Sequence, residues 1–216
     1  MTGGPEPVAL PMPMFPLGSV LFPHVLLPLH VFEPRYRALV QDCLRHTLEF
    51  GVVLIERGFE VGGGDTRFGV GTVARIREAA PLPDGRWALL CAGARRIRVR
   101  SWLPDDPYPL ALVEPRPDRG LAPDDVDAAR LVAEAEAAVR RALALAGELD
   151  EAPVPATFEL DGDADVAAWQ LAAVAPLGPV DHQRLLEVDD AAARLRLLAE
   201  LARDAASVLA YRLSGG

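Results

Sequence analysis

Residues 28–37, with the sequence P-L-H-V-F-E-P-R-Y-R, constrain the fold most because they join an extended segment to a helix. The apolar run up to Phe32 predicts the end of a buried strand. Pro34 then stands where a helix begins, since proline presets φ and its missing N–H is not needed there. We predict a helix that ends near His46 and has a basic outer face. Its apolar stripe recurs at helical spacing and consists of Tyr36, Leu39, Val40, Cys43 and Leu44.

Short apolar segments of strand length surround this helix. One precedes it at residues 8–15, and the others follow at residues 49–56, 68–80, 86–91, 94–103 and 108–115. Pro83, Asp84 and Gly85 predict a tight turn, because proline presets φ and glycine accepts a positive φ. Another turn or loop is expected at residues 58–67, where glycines cluster. Short strands separated by turns, with one early helix, predict a mixed β barrel rather than a parallel α/β sheet.

The hydrophobic period becomes helical beyond a proline-rich link at residues 115–123. It predicts four helices, at residues 123–146, 165–175, 180–188 and 190–213, which form a small bundle. Residues 1–117 hold 13 arginines and 12 acidic residues, whereas residues 118–216 hold 9 arginines and 19 acidic residues. We therefore predict two domains, residues 8–117 and residues 118–216. The second is acidic and should repel nucleic acid and anionic membranes.

The ordered motifs of the first half resemble the LON domain, the N-terminal substrate-binding region of Lon-type proteases. The resemblance rests on residues 28–37 together with Phe15-Pro16-Leu17, Pro23, Phe50-Gly51-Val52, Gly71-Thr72-Val73-Ala74, Gly85-Arg86, Gly93 and Arg96-Ile97-Arg98-Val99. It implies an α+β fold, with a PUA-like mixed β pseudo-barrel that contains one early helix, followed by a C-terminal four-helix bundle. It also implies binding of unfolded or specific protein segments as an adaptor in protein quality control, with a separate Lon-type protease as a candidate partner.

The chain contains no lysine, and this absence excludes two kinds of catalysis. A P-loop ATPase places a lysine on the nucleotide phosphates. The peptidase of Lon-type enzymes, in turn, uses a serine–lysine dyad. Neither site can be built from this sequence. We therefore predict a binding module that is not an enzyme and needs no cofactor; a hydrolase whose site the sequence does not display is the remaining catalytic alternative.

Other candidate motifs fit structural roles better than chemical ones. Residues 69–74 match a dinucleotide fingerprint, but the residues after them have the pattern of a strand instead of the required helix. The acidic residues 161, 163 and 165 resemble the start of a calcium loop without its later glycine and glutamate, and they predict a helix cap. The four histidines lack metal-ligand spacing, and no serine lies in a G-x-S-x-G motif. No metal site is predicted.

Composition also bears on where the protein works. Cys43 and Cys91 fall in apolar segments, which predicts small core residues in a reducing, cytoplasmic setting. The stretch between Glu6 and Glu33 carries no charge, but its six prolines would interrupt a membrane-spanning helix repeatedly. We therefore expect no membrane association.

Alternating arginines supply the main alternative function. Arg96, Arg98 and Arg100 share one predicted strand face, and Arg75 and Arg77 repeat the pattern on an earlier strand. If the two strands are neighbours, this stripe could bind phosphates in a PUA-like nucleic-acid-binding protein. A solvated face, or a face docked on the acidic helices, is favoured instead. The total charge is negative, and the stripe has no interleaved aromatic residues for base stacking.

Peptide binding is predicted where the apolar loop at residues 17–27 meets the first helix. The loop has more large apolar side chains than a loop of its length readily buries, and exposed apolar patches mark contact surfaces. Arginines on the helix could hold the carbonyls or carboxylates of a bound segment. The alternative is that the loop folds back into the barrel core. The predicted site consists of Leu17, Phe22, Phe32, Glu33, Arg35, Tyr36 and Arg37.

Overall fold

The structure of the protein, a computed structural model, describes residues 9–57, 66–121 and 126–215. Three of the predicted features lie wholly or partly outside these residues: the start of the first strand at residue 8, most of the glycine loop at residues 58–67, and the beginning of the helix predicted at residue 123. The chain divides into two compact units, Met1–Pro117 and Asp118–Gly216.

The described part of the first unit consists of six strands and one helix. In chain order these are β1 (Leu10–Leu17), β2 (Leu26–Val31), α1 (Pro34–Arg45), β3 (Glu49–Arg57), β4 (Thr66–Pro81), β5 (Trp87–Leu103) and β6 (Leu110–Pro115). The sheet order is β2-β5-β4-β3-β1-β6, and β5 also pairs with β6. This additional pairing closes five strands into a ring and leaves β2 at the end of the order. β1 and β3 are parallel and β3 and β4 antiparallel, so the predicted mixed pseudo-barrel is confirmed.

Strand β5 is continuous, whereas the sequence predicts two strands with a break near Gly93. The glycine lies inside the strand because the carbonyl of Phe22 approaches it so closely that a Cβ would overlap that oxygen. The N–H of Gly93 donates to the carbonyl of Val25, and its own carbonyl accepts from the N–H of His24, both at 2.9 Å. Glycine here permits a close approach of two backbones and does not mark a turn.

Two apolar clusters fill the first unit. The larger lies against α1, and the predicted stripe of that helix is buried in it, which confirms the prediction. Pro34 occupies the first turn of α1, and the N–H of Arg37 closes that turn on the carbonyl of Glu33 at 2.9 Å. The smaller cluster consists of Met14, Val53, Val73, Ile97, Ala111 and Val113.

The described part of the second unit contains four helices, as predicted. They are α2 (Val126–Glu148), α3 (Ala164–Val174), α4 (Pro179–Glu187) and α5 (Ala191–Leu213). The two long helices, α2 and α5, pack against each other, and α3 contacts both. The carboxylate of Asp163 caps α3 by accepting from the N–H groups of Asp165 and Val166, so the predicted acidic helix cap is confirmed.

Arg194 on α5 is the largest fully buried side chain of the described chain. Its guanidinium donates to both carboxylate oxygens of Asp118, at 2.7 and 3.0 Å, and to the carbonyl of Val188 at 3.1 Å. The same group lies 3.5 Å from the ring centroid of Trp169. These contacts fasten the first residue of the second unit to its last helix.

Candidate functional site

The junction between β2 and α1 presents polar and apolar groups side by side. Glu33 occupies the cap position before α1 in an extended conformation, but its side chain makes no capping hydrogen bond. Its carboxylate instead accepts a hydrogen bond from the Nε of Arg35 at 3.1 Å. The guanidinium of Arg35 also lies 4.5 Å from the ring centroid of Tyr36. The ion pair is half-buried, with side-chain exposures of 19% and 16%, so it holds Arg35 in one orientation.

A small cavity of about 100 Å³ opens beside this junction. Its floor is aromatic, because the rings of Phe15 and Tyr36 stack with centroids 4.1 Å apart and planes 17° apart. Stacked rings at this distance form a rigid surface. The cavity therefore combines stacked aromatic rings with Glu33, the acidic partner of Arg35. Its lining comprises Phe15, Leu17, Leu29, His30, Val31, Phe32, Glu33 and Tyr36.

Three residues of the predicted peptide site are buried: Leu17 and Phe22 do not form the exposed apolar patch that was predicted, and Tyr36 lies on the buried stripe of α1. Leu17 is 7%, Phe22 1% and Tyr36 3% exposed. Within the loop at residues 17–27, Leu21 and Phe22 fold back into the barrel core, and the backbone just after them is hydrogen-bonded to Gly93 on β5. Leu17 and Tyr36 still contribute to the walls of the small cavity. Phe22 does not line it and is a core residue.

The exposed apolar side chains of this region lie on β2 and immediately after it. Leu26 is 61% and Phe32 54% exposed, and His30 between them is also exposed. Leu26 lies in the apolar loop at residues 17–27 that was predicted to bind peptide, although it was not among the residues of the predicted site. We give the name β2–α1 surface to six residues of β2, the junction and the first turn of α1: Leu26, His30, Phe32, Glu33, Arg35 and Arg37.

Arg37 extends from α1 towards the turn between β4 and β5. A Cβ on Gly85 would meet the guanidinium of Arg37 at 2.7 Å, so the arginine lies against this turn. Gly85 has a φ of +79°, which confirms the predicted role of glycine in the turn. Asp84 in the same turn accepts from the backbone N–H and from the Nε of Arg86. Arg37 is half-buried and closes one end of the β2–α1 surface.

The arginines of the alternative, phosphate-binding stripe are largely engaged by neighbouring groups. Arg96 is 3% exposed and donates to the carbonyl of Pro117 at 2.9 Å, so the prediction that it belongs to an exposed stripe is wrong. Arg100 forms an ion pair with Glu114. Arg77 and Arg98 are exposed. The continuous row of accessible cations that the sequence suggested is therefore interrupted.

Glu49 neutralises another part of the same surface. Its carboxylate accepts from Arg75 at 2.7 Å and from Arg95, which the sequence analysis did not single out, at 2.8 Å. Hydrogen bonds from Arg95 and then from Arg75 lower the pKa of Glu49, because they favour the charged carboxylate. Arg75 on β4 and Arg95 on β5 thus share the carboxylate of Glu49 on β3.

Groups that could carry covalent or metal chemistry are buried or dispersed. Burial raises the pKa of Cys43 and of Cys91 to about 12, so neither thiol is a nucleophile at neutral pH. Within the described ranges, no three histidine, cysteine or acidic side chains lie close enough to hold a metal ion. None of the described helices is both long and apolar enough to cross a bilayer.

The second unit contains a larger concave surface, of about 500 Å³, that the sequence did not predict. Small and apolar side chains line most of it, and the ion pair of Arg212 with Glu151 stands at its edge. His182 also lines it and lies 3.2 Å from the carbonyl of Ala175. Burial lowers the pKa of His182, so its imidazole is neutral at pH 7.

The ring of strands with an early helix, followed by four helices in the described chain, is the architecture of the N-terminal domain of Lon proteases. The chain belongs to the family of the ATP-dependent protease La (LON) substrate-binding domain, whose sequence profile matches residues 11–204. This confirms the resemblance seen in the sequence motifs.

Individual relatives support the same assignment. The chain is 32% identical over 206 residues to Lon protease 2 of Sorangium cellulosum, covering 90% of this chain and 24% of that protein. It is 29% identical to Lon protease 2 of Herpetosiphon aurantiacus, covering 88% of this chain and 23% of that protein. The chain thus spans about a quarter of the length of these curated relatives.

Solved structures show the same fold. The Lon N-terminal domain protein from Xanthomonas campestris is 31% identical, with a TM-score of 0.59 and coverage of 88% of this chain and 96% of that chain. The N-terminal domain of the Mycobacterium avium complex Lon protease superposes with a TM-score of 0.60 over 90% of this chain and 99% of that chain. The second structure is only 17% identical, so its likeness is one of fold alone.

Proposed function

We propose that this protein is a recognition module that binds extended, apolar segments of other proteins at the β2–α1 surface and carries out no chemistry of its own. Membership of a substrate-binding domain family supports binding of protein segments. The pattern of burial supports the location of the binding site, because Phe22 is buried whereas Leu26 on β2 and Phe32 just after it are exposed.

The exposure of Phe32 is the observation that carries this proposal. Its ring is 54% exposed although it stands at the mouth of an apolar cavity beside two stacked aromatic rings. An aromatic side chain held at the edge of a rigid apolar pocket is typical of the residues that dominate binding energy in protein interfaces. A client side chain that enters the cavity would remove Phe32 and the rings beneath it from water.

The half-buried pair of Glu33 and Arg35 supplies the polar part of the same surface. Arg35 is held by Glu33 and by the ring of Tyr36, so its guanidinium has a defined direction. Planar guanidinium groups bind carbonyl and carboxylate oxygens with little further loss of side-chain freedom when they are pre-oriented in this way. Apolar contact would then provide affinity, and the ion pair would orient the bound backbone.

The test is fluorescence anisotropy with a fluorescein-labelled peptide of alternating leucine and threonine, an extended apolar probe. Phe32→Ala should weaken binding about 5- to 30-fold, which corresponds to about 1–2 kcal/mol for an interface aromatic residue. The melting temperature should change little, because the side chain is exposed. Tyr211→Ala is the matched control: this aromatic residue on α5 is 67% exposed and should leave binding within about twofold.

Two results would separate a binding role from a structural one. Phe22→Ala should destabilise the protein by about 3–5 kcal/mol, because it removes a buried aromatic ring from the core. Phe32→Ala should not. If Phe32→Ala and Tyr211→Ala have the same small effect on the affinity for the peptide, the β2–α1 surface is not the binding site.

The absence of catalysis is part of the proposal and is tested separately. Without lysine, the chain offers no P-loop lysine and no serine–lysine dyad. We expect the purified protein to hydrolyse no ATP and to cleave no casein. Activity that co-elutes with the homogeneous protein after a second purification would refute this. A role as an adaptor that presents clients to a separate Lon-type protease would show as faster client degradation by that protease when this protein is added.

Nucleic acid is not proposed as a ligand. Arg75, Arg96 and Arg100 have protein partners, and the acidic composition of residues 118–216 disfavours a polyanion.

A further inference from the structure

One edge of strand β2 has no neighbouring strand in the part of the chain that the structure describes. β2 stands at the end of the strand order, and among the described residues it pairs only with β5. The pairing is antiparallel, with Leu26 opposite Ala92 and Val31 opposite Trp87. A strand at the end of a sheet presents unpaired N–H and C=O groups on its outer side, which are a template for another extended chain.

Hydrogen-bond directions identify the groups on this open edge. The carbonyl of Val25 accepts from Gly93 and therefore faces β5. In an antiparallel pair the residues that face the partner alternate with those that face away. Leu27, Leu29 and Val31 consequently face β5. The outward backbone groups are those of Leu26, Pro28 and His30.

The composition of β2 agrees with this alternation. A proline can occupy a strand only where its missing N–H is not needed by the neighbouring strand, and Pro28 takes such an outward position. The side chains of Leu26, Pro28 and His30 are all exposed. The open edge therefore offers two N–H donors, from Leu26 and His30, and three carbonyl acceptors, and it ends beside Phe32 and the small cavity.

We propose that the client segment adds to β2 as a further strand, with its backbone hydrogen-bonded to Leu26, Pro28 and His30 and one apolar side chain in the cavity beneath Phe32. This inference rests on the proposed function and specifies how the same surface recognises its ligand. Main-chain pairing supplies affinity that depends little on client sequence, and the cavity supplies a preference for one apolar side chain. The ligand class is thus an extended, proline-poor apolar segment.

A second copy of this chain fits the edge less well than a client does. In a symmetric antiparallel pair of β2 strands centred on Pro28, each Pro28 carbonyl would face a proline that has no N–H. A client without proline at that position donates a hydrogen bond to this carbonyl. An unpaired carbonyl in a strand interface costs about as much as a lost hydrogen bond. The edge is therefore better suited to a different chain than to self-association.

The experiment uses the leucine–threonine peptide in three forms: unmodified, N-methylated on every leucine, and N-methylated on every threonine. Alternate N–H groups of a strand lie on opposite edges, and the apolar side chains fix which face is turned inward. One N-methylated form should lose at least about tenfold in affinity while the other stays within about threefold of the unmodified peptide, since several hydrogen bonds are removed on one edge only. All three peptides are tested against the unaltered protein, so a change in protein stability cannot explain a difference in their affinities.

Protein variants test the other side of the pairing. His30→Pro and His30→Ala both lose the imidazole, but only His30→Pro also loses the outward N–H, so His30→Pro should bind the peptide about fivefold more weakly than His30→Ala. Pro28→Ala restores a donor to the edge and should tighten binding about two- to fivefold. Circular dichroism confirms that each variant is folded.

The outcomes separate this inference from the proposed function. Binding that depends on Phe32 but is equally affected by both N-methylation patterns, and is indifferent to His30→Pro, would overturn strand addition and leave the proposed function standing. No binding of the unmodified peptide would overturn both. Self-association that rises with protein concentration and is lost in His30→Pro would overturn the inference in favour of a dimer. An effect of one N-methylation pattern alone, together with tighter binding by Pro28→Ala, supports it.

Discussion

Removal of the carboxylate of Asp118 should be among the most damaging single changes in the second unit. The guanidinium of Arg194 is completely buried and cannot lose its proton, so in Asp118→Ala its charge would stay in the interior without its carboxylate partner. The carbonyl of Val188 and the ring of Trp169 would stay close to it but carry no negative charge. Breaking a buried ion pair by removing one partner costs about 3–5 kcal/mol. We expect a loss of that size in the free energy of unfolding.

The double variant Asp118→Ala with Arg194→Met separates charge burial from packing. Methionine fills much of the same volume without a charge, and replacing both partners of a buried pair by apolar groups is often neutral. The double variant should therefore recover most of the stability, to within about 1 kcal/mol of the parent, although the contact with Trp169 is changed. Urea denaturation followed by circular dichroism at the helical minimum measures both variants.

Two results would refute this reasoning. If Asp118→Ala costs less than about 1 kcal/mol, the buried guanidinium is not dependent on this carboxylate. If the double variant is no more stable than Asp118→Ala alone, the loss arises from the backbone at Asp118 and not from an unpaired charge.

Three further predictions concern titratable groups. Because arginine contacts lower the pKa of Glu49 from 4.5, its contribution to stability is present above that pH and is lost as pH falls below it; in acid denaturation followed by circular dichroism, Glu49→Gln should reduce this loss. Burial lowers the pKa of His182 from 6.5, so stability should fall as pH drops below that value, and His182→Gln should flatten this dependence in urea titrations at pH 5 and 8. Cys43 and Cys91 should react with a disulfide reagent only on unfolding; labelling of native protein at neutral pH within minutes would contradict their burial.

Local features of the fold could be predicted from the sequence because neighbouring residues determine them. The position of Pro34 and the spacing of Tyr36 with the apolar residues after it specify a helix start and its buried face, and the structure confirms both. The Asp163 cap depends on residues within one helical turn, so it could be predicted from the sequence equally well. The ring of strands followed by a bundle came from the order of many such local signals, strengthened by the family motifs.

The proposed binding surface was only partly predictable, because burial depends on residues far apart in the sequence. Nothing near Phe22 indicates that its carbonyl will rest against Gly93, and this contact places the loop in the core. The same holds for Glu49, whose partner Arg95 lies 46 residues away in the chain. Alternation of arginines indicated a strand at residues 96–100, but it could not show that Arg96 is buried and donates to the carbonyl of Pro117.

Strand β5 has a consequence for how the barrel comes apart. It pairs with β2 through Trp87 to Ala92, with β4 over most of its length, and with β6 through its second half. Strands β2, β4 and β6 cannot leave the sheet without breaking hydrogen bonds to this one strand, so β5 should belong to the part of the barrel that opens last. Amide protons of β5 should exchange with solvent only through global unfolding, while the outward N–H groups of Leu26 and His30 exchange from the native state. The surface proposed to bind client segments is thus attached, by the other edge of β2, to the strand that should exchange most slowly.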